Sequence, residues 1–157
     1  WVGTWTMAMN EFCGRVIAFE PDPVHYECLV KNCPEDVETH QLAIGNEEKM
    51  ISLSEDNFTQ AKRVVGDGTI PMVTIDSLNL DDVDLIKIDV EGFEMEVLKG
   101  AENTLKNVDY LMIELNNNSK KYGSSNLEIE KHLRKSGYEI LIKVWPDVVW
   151  RKKGGRK

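Results

Sequence analysis

The chain of 157 residues contains little cysteine. Its three cysteines, Cys13, Cys28 and Cys33, form no Cys-x-x-Cys pair, and a disulfide between any two would leave the third unmatched. This pattern excludes a disulfide-rich secreted scaffold and argues against a structural zinc site. We therefore expect a protein of a reducing compartment, the cytoplasm.

Long apolar runs and an excess of basic charge are also absent. No segment approaches the roughly 18 consecutive apolar residues of a membrane-spanning helix, so no membrane span is expected. The chain has 19 Lys and Arg against 27 Asp and Glu, and five of the 19 lie in residues 151–157. Residues 1–150 thus carry 14 basic and 27 acidic side chains, a formal charge of −13. Such a body repels a phosphate backbone, which argues against nucleic acid as the main partner.

The remaining composition suffices for one globular domain. A chain of this length, with 41% hydrophobic residues, buries roughly 70% of its unfolded surface without disulfides or metals. We predict one domain over residues 1–150 and a basic tail over 151–157. The apolar spacing predicts strands alternating with helices, which is typical of an open α/β sheet.

The elements differ in how strongly the sequence marks them. Residues 84–92 form the clearest predicted strand, and Gly100 is expected to bend or divide the helix that follows. Residues 62–71 hold three charges and two glycines and are predicted to form a surface loop. The other predictions are helices around 5–12, 23–32 and 127–133, strands over 15–20, 37–44 and 110–115, a hairpin strand over 50–54, and a terminal hairpin of 138–144 and 148–151.

Functional residues are expected where strands end, because open parallel sheets bind ligands beyond the carboxyl ends of their strands. A carboxylate such as Glu20 can accept hydrogen bonds from both hydroxyls of a ribose. A helix-capping or turn role suits the same position equally well. The titratable residues that end predicted strands are Glu20, His40, Asp89, Glu91 and Glu114.

Asp89 and Glu91 are the strongest candidates for chemistry. One of them can hold a substrate hydroxyl or accept its proton, whereas the alternative for Glu91 is a first-turn charge that stabilises its helix. Lys87 shares a strand face with Asp89, which predicts an ion pair between them. Asp89, Glu91 and Glu114 also offer oxygen ligands that suit magnesium or calcium. No spacing here is diagnostic of a metal, and we expect none.

Several segments resemble the FkbM family of methyltransferases, from Gly3 to about Leu115. The most specific is 84–101, with its Ile-Asp-Val-Glu-Gly core at 88–92. The resemblance implies a class I methyltransferase (Rossmann-like) fold: an open, mostly parallel sheet with helices on both faces and a C-terminal antiparallel hairpin. It also implies S-adenosylmethionine as cofactor and O-methylation of a sugar, polyketide or related metabolite. The other matching segments are 14–23, Leu29 with Asn32, 43–45 and 73–78.

The family's functional positions carry over residue by residue. Glu20 matches the carboxylate that binds the cofactor ribose, Asp22 lies in the adjoining loop, and Ala43 matches the region near adenine. Asp89 matches the acidic end of the fourth strand, beside the methyl donor and the acceptor. We therefore predict that Asp89 takes the proton of the acceptor hydroxyl, with Glu91 as the second candidate.

The sequence departs from the family pattern at its start. Family members begin with a strand that ends in a Gly-Ala-Asn-x-Gly turn. Only one glycine of this turn remains here, Gly3, and Trp1 stands at the asparagine position. The resemblance implies that Gly3 binds the cofactor. The first strand and most of the glycine-rich loop are missing, so we expect an N-terminally truncated domain. The missing strand would lie mid-sheet between the strands ending at Glu20 and Asp89, which we expect to flank one crevice.

Three functions are compatible with these residues. The first is an S-adenosylmethionine-dependent O-methyltransferase that acts on a small-molecule or glycan acceptor. The second is a non-catalytic, truncated methyltransferase-like domain that acts as a binding module. The third is a dinucleotide-binding oxidoreductase, which shares Glu20 but does not account for residues 84–101.

Overall fold

The computed structural model describes residues 2–54, 62 and 64–155. The chain divides into two compact units, Trp1–Ile44 with Glu48–Val73, and Gly45–Glu47 with Thr74–Lys157. No helix among the described residues is both long and apolar enough to cross a membrane. The elements are α1 (Thr4–Asn10), β1 (Ile17–Phe19), α2 (Pro23–Asn32), β2 (Glu38–His40), β3 (Ala43–Ile44), β4 (Lys49–Leu53), β5 (Val64–Val73), β6 (Leu85–Ile88), α3 (Glu94–Lys99), β7 (Tyr110–Glu114), α4 (Asn126–Lys135), β8 (Tyr138–Val144) and β9 (Asp147–Lys152), with short 3₁₀ helices at Asp76–Leu78, Thr104–Lys106 and Asn118–Tyr122.

The first unit positions α2 through its N-terminal cap. The Asp22 carboxylate accepts hydrogen bonds from the backbone N–H groups of Val24 at 3.1 Å and His25 at 3.0 Å. Pro23 occupies the first turn, where its missing N–H has no helical partner to lose. These local signals explain why the predicted bounds of this helix, 23–32, are confirmed.

The first unit contains two small sheets. β1 pairs in parallel with β2, and β5 lies between β3, its parallel neighbour, and β4, its antiparallel neighbour. The single strand predicted over 37–44 is therefore wrong, since β2 and β3 belong to different sheets. The strand predicted over 50–54 is present as β4, but its partner is β5.

The loop predicted over 62–71 is also wrong, because residues 64–71 belong to β5. The glycines that suggested a turn have a different use. An added Cβ at Gly68 would overlap the Ile51 carbonyl oxygen of β4, and the register shifts between Ile51 and Ser52. Glycine here permits close backbone approach at an irregular strand pairing.

The second unit is a four-stranded sheet in the order β6-β7-β9-β8. β6 and β7 are parallel, while β9 is antiparallel to both β7 and β8. The predicted terminal hairpin is confirmed, although β9 extends to Lys152, two residues into the predicted basic tail. Residues 156–157 of that tail lie outside the described residues. Side chains buried completely in this unit include Leu98, Leu111, Ile113, Ile129, Leu133, Tyr138 and Trp150.

The prediction of a mostly parallel sheet requires correction. Of the six strand pairings in the described chain, three are parallel and three antiparallel, so the sheets are mixed. The antiparallel pairs arise because β8 returns to β9 through a tight hairpin and β4 pairs along the long strand β5.

Candidate active site

The carboxyl ends of β6 and β7 lie at one edge of the second unit's sheet. The two strands are parallel neighbours, with Ile88 opposite Ile113. Asp89 follows the last residue of β6, and Glu114 is the last residue of β7. The register thus brings two acidic residues together that lie 25 positions apart in the sequence.

A tight turn after β6 adds Glu91 to this edge. Glu91 has φ of 54° and Gly92 has φ of 110°. An added Cβ at Gly92 would lie 2.5 Å from the Asn118 carbonyl oxygen, so only glycine fits there. Helix α3 begins at Glu94, which is 1% exposed and accepts a hydrogen bond from the Gly92 N–H at 2.9 Å. Glu91 therefore lies in the turn and is not a first-turn charge of the helix.

Three carboxylates converge at this edge. Oxygen atoms of Asp89, Glu91 and Glu114 lie within 4.8 Å of one another. The predicted ion pair between Lys87 and Asp89 is confirmed, with Nζ 2.9 Å from Oδ2. Because the Lys87 side chain is only 10% exposed, this cation orients Asp89 from within the protein.

Two amide side chains orient the other carboxylates. Asn118 Nδ2 donates to Glu91 Oε2 at 2.9 Å, and Asn116 Nδ2 donates to Glu114 Oε2 at 2.6 Å. The Asn116 Oδ1 in turn accepts from the Asn118 backbone N–H at 3.0 Å. The loop after β7 thus holds both glutamates in a defined orientation.

The concentration of negative charge changes how these groups ionise. Burial, reinforced by the charges of Asp89 and Glu91, raises the pKa of Glu114 to about 7. Burial and the Asp89 charge also raise the pKa of Glu91, against the opposing hydrogen bond from Asn118. Asp147 lies opposite Glu114 in the β7–β9 register and contributes further to its raised pKa. The edge can therefore bind or release a proton near neutral pH.

We expect Glu114→Gln to stabilise the folded chain increasingly, relative to the unsubstituted chain, as the pH rises. An unfolded glutamate has a pKa near 4.5, so between about pH 4.5 and about pH 7 the folded chain holds a proton that the unfolded chain has released. The stability that this proton contributes is present at low pH and is lost as the pH rises through the folded pKa. Urea denaturation at about pH 5.5 and about pH 8 should show a larger advantage of the glutamine variant at the higher pH.

Glu139→Gln is the control with the opposite sign. The hydrogen bond from Arg151, 2.7 Å long, lowers the pKa of Glu139. Its contribution is present above the unfolded pKa and changes little between about pH 5.5 and about pH 8. A stability difference for Glu114→Gln that is equally independent of pH would contradict the raised pKa of Glu114.

Asp89, Glu91 and Glu114 also have the oxygen ligands that magnesium and calcium prefer. Clusters of partly exposed acidic groups are common without an ion. In this cluster each carboxylate already accepts a hydrogen bond from a lysine or asparagine side chain. The expectation that no metal is required stays a prediction.

The first unit carries the predicted cofactor carboxylates. Glu20 follows β1, is 8% exposed, and accepts a hydrogen bond through Oε1 from the Asp22 N–H at 2.9 Å. The structure thus contains the turn interaction, and ribose binding stays a prediction. Asp22 caps α2 and contacts the Lys62 ammonium. Burial raises the pKa of Asp22, but Lys62 and the His25 N–H outweigh it and lower this pKa below its usual value.

Two further predicted cofactor residues, Gly3 and Ala43, are also in the first unit, whereas Asp89, predicted to lie beside the methyl donor, is in the second. Gly3 has φ of 93° at the start of α1, and an added Cβ would lie 3.0 Å from Cys33 Sγ. Ala43 is buried at the start of β3. Their contact with a cofactor stays a prediction, as does the single crevice between Glu20 and Asp89.

The sequence pattern does not predict every residue that contacts the carboxylates of Asp89, Glu91 and Glu114, or those of Glu20 and Asp22. The sequence pattern predicts only a polar loop over 116–125, although three asparagines directly after a strand are a signal for amide donors. Asn116 and Asn118 supply those donors. The sequence pattern predicts no role for His25, yet its Nδ1 lies 3.7 Å from Asp22 Oδ1 and 4.0 Å from Glu20 Oε1. The spacing of three between Asp22 and His25 on one helix end is the signal that points to this contact.

Comparison with known families and folds gives consistent matches. Residues 2–140 match the model of the methyltransferase FkbM domain. Among solved structures, the crystal structure of methyltransferase FkbM from Methylobacillus flagellatus KT aligns with a TM-score of 0.61. The alignment has 19% sequence identity and covers 87% of this chain and 36% of that one, so it shows an α/β fold shared with that protein.

Two curated relatives are also similar in sequence. The hexuronic acid methyltransferase AglP from Haloferax volcanii is 30% identical over 112 residues, covering 64% of this chain and 47% of that protein. Methyltransferase 1 from Beauveria bassiana is 26% identical over 151 residues, covering 73% of this chain and 61% of that protein. The chain therefore spans about half to three fifths of the length of these relatives.

Proposed function

Because the chain belongs to the FkbM methyltransferase family, we propose that it transfers a methyl group from S-adenosylmethionine to a hydroxyl oxygen of a small-molecule or glycan acceptor. The observation that carries the proposal is the convergence of Asp89, Glu91 and Glu114 at the carboxyl ends of β6 and β7. Similarity to a hexuronic acid methyltransferase favours a sugar over a polyketide as the acceptor.

The residues of the first unit suit the cofactor that this family implies. S-adenosylmethionine, when bound, supplies an electrophilic methyl group on a sulfonium sulfur. Glu20 is a buried carboxylate just beyond a strand end, a chemistry that suits the two ribose hydroxyls. The Asp22 N–H holds one oxygen of that carboxylate in place. We assign Asp22, Ala43 and Gly3 to the surroundings of the same cofactor.

The residues of the second unit suit the acceptor hydroxyl. We assign Asp89 the role of accepting a hydrogen bond from the acceptor hydroxyl and taking its proton. Lys87 pairs with Asp89 and orients its carboxylate. Glu91 is the second candidate for this role, because Asn118 directs its carboxylate toward the same cluster. When the base and the acceptor hydroxyl are held in fixed positions, the entropic cost of aligning the hydroxyl oxygen for methyl transfer is reduced.

We further propose a cytoplasmic protein without a nucleic-acid partner. Cys13, Cys28 and Cys33 are free, as is usual in a reducing compartment. The formal charge of −8 for the whole chain opposes binding to a phosphate backbone.

Cofactor binding is the first test. Calorimetry of the 157-residue chain with S-adenosylhomocysteine should detect saturable binding, and Glu20→Gln should weaken it by about tenfold or more, because a charge-assisted hydrogen bond to ribose is lost. Glutamine keeps one oxygen acceptor for the Asp22 N–H, so the turn after β1 should survive.

Glu35→Gln is the matched control, since Glu35 is an exposed glutamate of the same unit. It should leave the affinity unchanged within about twofold. Absence of binding to the unsubstituted chain would reject the proposal and favour the non-catalytic binding module. Equal affinity of the Glu20 and control variants would reject the ribose role of Glu20 alone.

A further inference from the structure

A cavity lies in the same unit as the candidate active site but at the other end of its sheet. β7 runs from Tyr110, opposite Arg151, to Glu114 at the acidic edge. Four residue steps along a strand span about 13 Å. The cavity has a volume of about 370 Å³, within the range of small-molecule sites. Its lining residues are Glu102, Leu105, Lys106, His132, Lys135, Ser136 and Lys152.

Lys152 is the partly buried cation of this cavity. Its Nζ donates to the carbonyl oxygens of Leu105 at 2.7 Å and Ser136 at 2.8 Å, and lies 4.6 Å from the centre of the Tyr138 ring. Burial lowers the pKa of this ammonium. An ammonium has three N–H donors, so two carbonyl partners leave one donor for a ligand.

The rest of the lining is also basic. Lys106 donates to Asn103 Oδ1 at 2.7 Å, and Lys135 lies in the last turn of α4. Within the described ranges, no carboxylate lies within ion-pair distance of Lys106, Lys135 or Lys152. The lining thus holds three lysines against the single carboxylate of Glu102, a formal charge of +2, in a chain whose net charge is −8.

His132 adds an unsatisfied polar atom. Its Nε2 is buried and has no hydrogen-bond partner among the described residues. Burial lowers the pKa of His132, and the charges of Lys135 and Lys99 act in the same direction, while Glu102 opposes them. His132 lines the cavity, and a neutral imidazole can donate one hydrogen bond, so this ring is a candidate donor to an anion.

We propose that this cavity binds the phosphate group of a small phosphorylated molecule. A phosphate monoester carries a charge close to −2 at neutral pH, which matches the lining's formal charge of +2. A ligand with a single carboxylate would neutralise only half of the lining's charge. Lysine ammonium groups bind phosphate well as point charges. The volume leaves space for the organic part of the molecule beside the phosphate.

Nuclear magnetic resonance of the labelled full chain tests the proposal with inorganic phosphate as the probe, at ionic strength held constant with sodium chloride. We expect saturable shifts of the His132 ring signals, whereas His25 and His40, in the other unit, serve as internal references. Lys106→Gln with Lys135→Gln should weaken phosphate binding by at least about tenfold. Both lysines are exposed, so the fold should be preserved. Lys152 is not substituted, because its ammonium donates hydrogen bonds to two backbone carbonyl oxygens and its loss would disturb the fold.

Lys120→Gln with Lys131→Gln is the matched control, because it removes the same charge from two exposed lysines that do not line the cavity. It should leave the affinity within about twofold of the unsubstituted chain. Absence of a saturable shift up to about 50 mM phosphate would overturn the proposal. Equal weakening by the two double variants would also overturn it, since it would show attraction to net charge alone.

Discussion

Asp89→Asn should slow methyl transfer by about 10²- to 10⁴-fold at saturating cofactor, the usual contribution of a positioned general base. The amide keeps the size of the side chain but cannot take the proton of the acceptor hydroxyl. The assay measures S-adenosylhomocysteine release with methyl glucuronoside and methyl glucoside as acceptors. Because the proposed role is in proton transfer, the affinity for S-adenosylhomocysteine should change little.

Loss of the carboxylate also removes a partner of Lys87, whose side chain is 10% exposed, so folding must be separated from chemistry. The double variant Lys87→Met with Asp89→Asn removes both charges and should stay folded and inactive. Asp81→Asn, an exposed aspartate before β6, should keep turnover within about twofold. Turnover of Asp89→Asn within about threefold of the unsubstituted chain would reject the assigned role and favour Glu91.

Local signals predicted the parts of this fold that depend on near neighbours in sequence. The bounds of α2 follow from Asp22 and Pro23, which cap and initiate the helix without any distant contact. The β8–β9 hairpin likewise follows from two apolar segments around the turn at Pro146. In both cases the element that forms is the one that the adjacent residues favour.

Pairing between distant segments could not be predicted in the same way. Over 64–71, β5 contains two glycines, Asp67 and Pro71, residues that disfavour a regular strand, and it pairs with β4 through an irregular register. The acidic edge depends on the β6–β7 register and on the left-handed conformation of Glu91, a residue type that avoids it. The sequence placed Asp89 and Glu114 at strand ends, but only the register shows that they meet.

Gly100→Ala should lower the free energy of unfolding by about 3 kcal/mol, at the upper end of overpacking effects. The residue is buried at the end of α3 with φ of −79°, a conformation open to any residue, so its glycine is not needed for backbone freedom. Glycine is required at this position for lack of space, because an added Cβ would overlap the Gly45 carbonyl oxygen. The backbone cannot easily move away, since the Gly100 carbonyl accepts from the Asp76 N–H at 2.9 Å. Urea denaturation of the full chain measures the loss.

Gly14→Ala separates this explanation from a general effect of glycine replacement. Gly14 has no neighbour within 4 Å of an added Cβ and no positive φ, so alanine should leave stability unchanged or raise it by about 0.4–1 kcal/mol. Helix propensity alone would make Gly100→Ala favourable by up to about 1 kcal/mol, so the sign of its effect decides between propensity and packing. If the Gly100→Ala chain is as stable as the unsubstituted chain, then α3 and residues 45–46 are not closely packed, and Gly100 ends the helix for another reason.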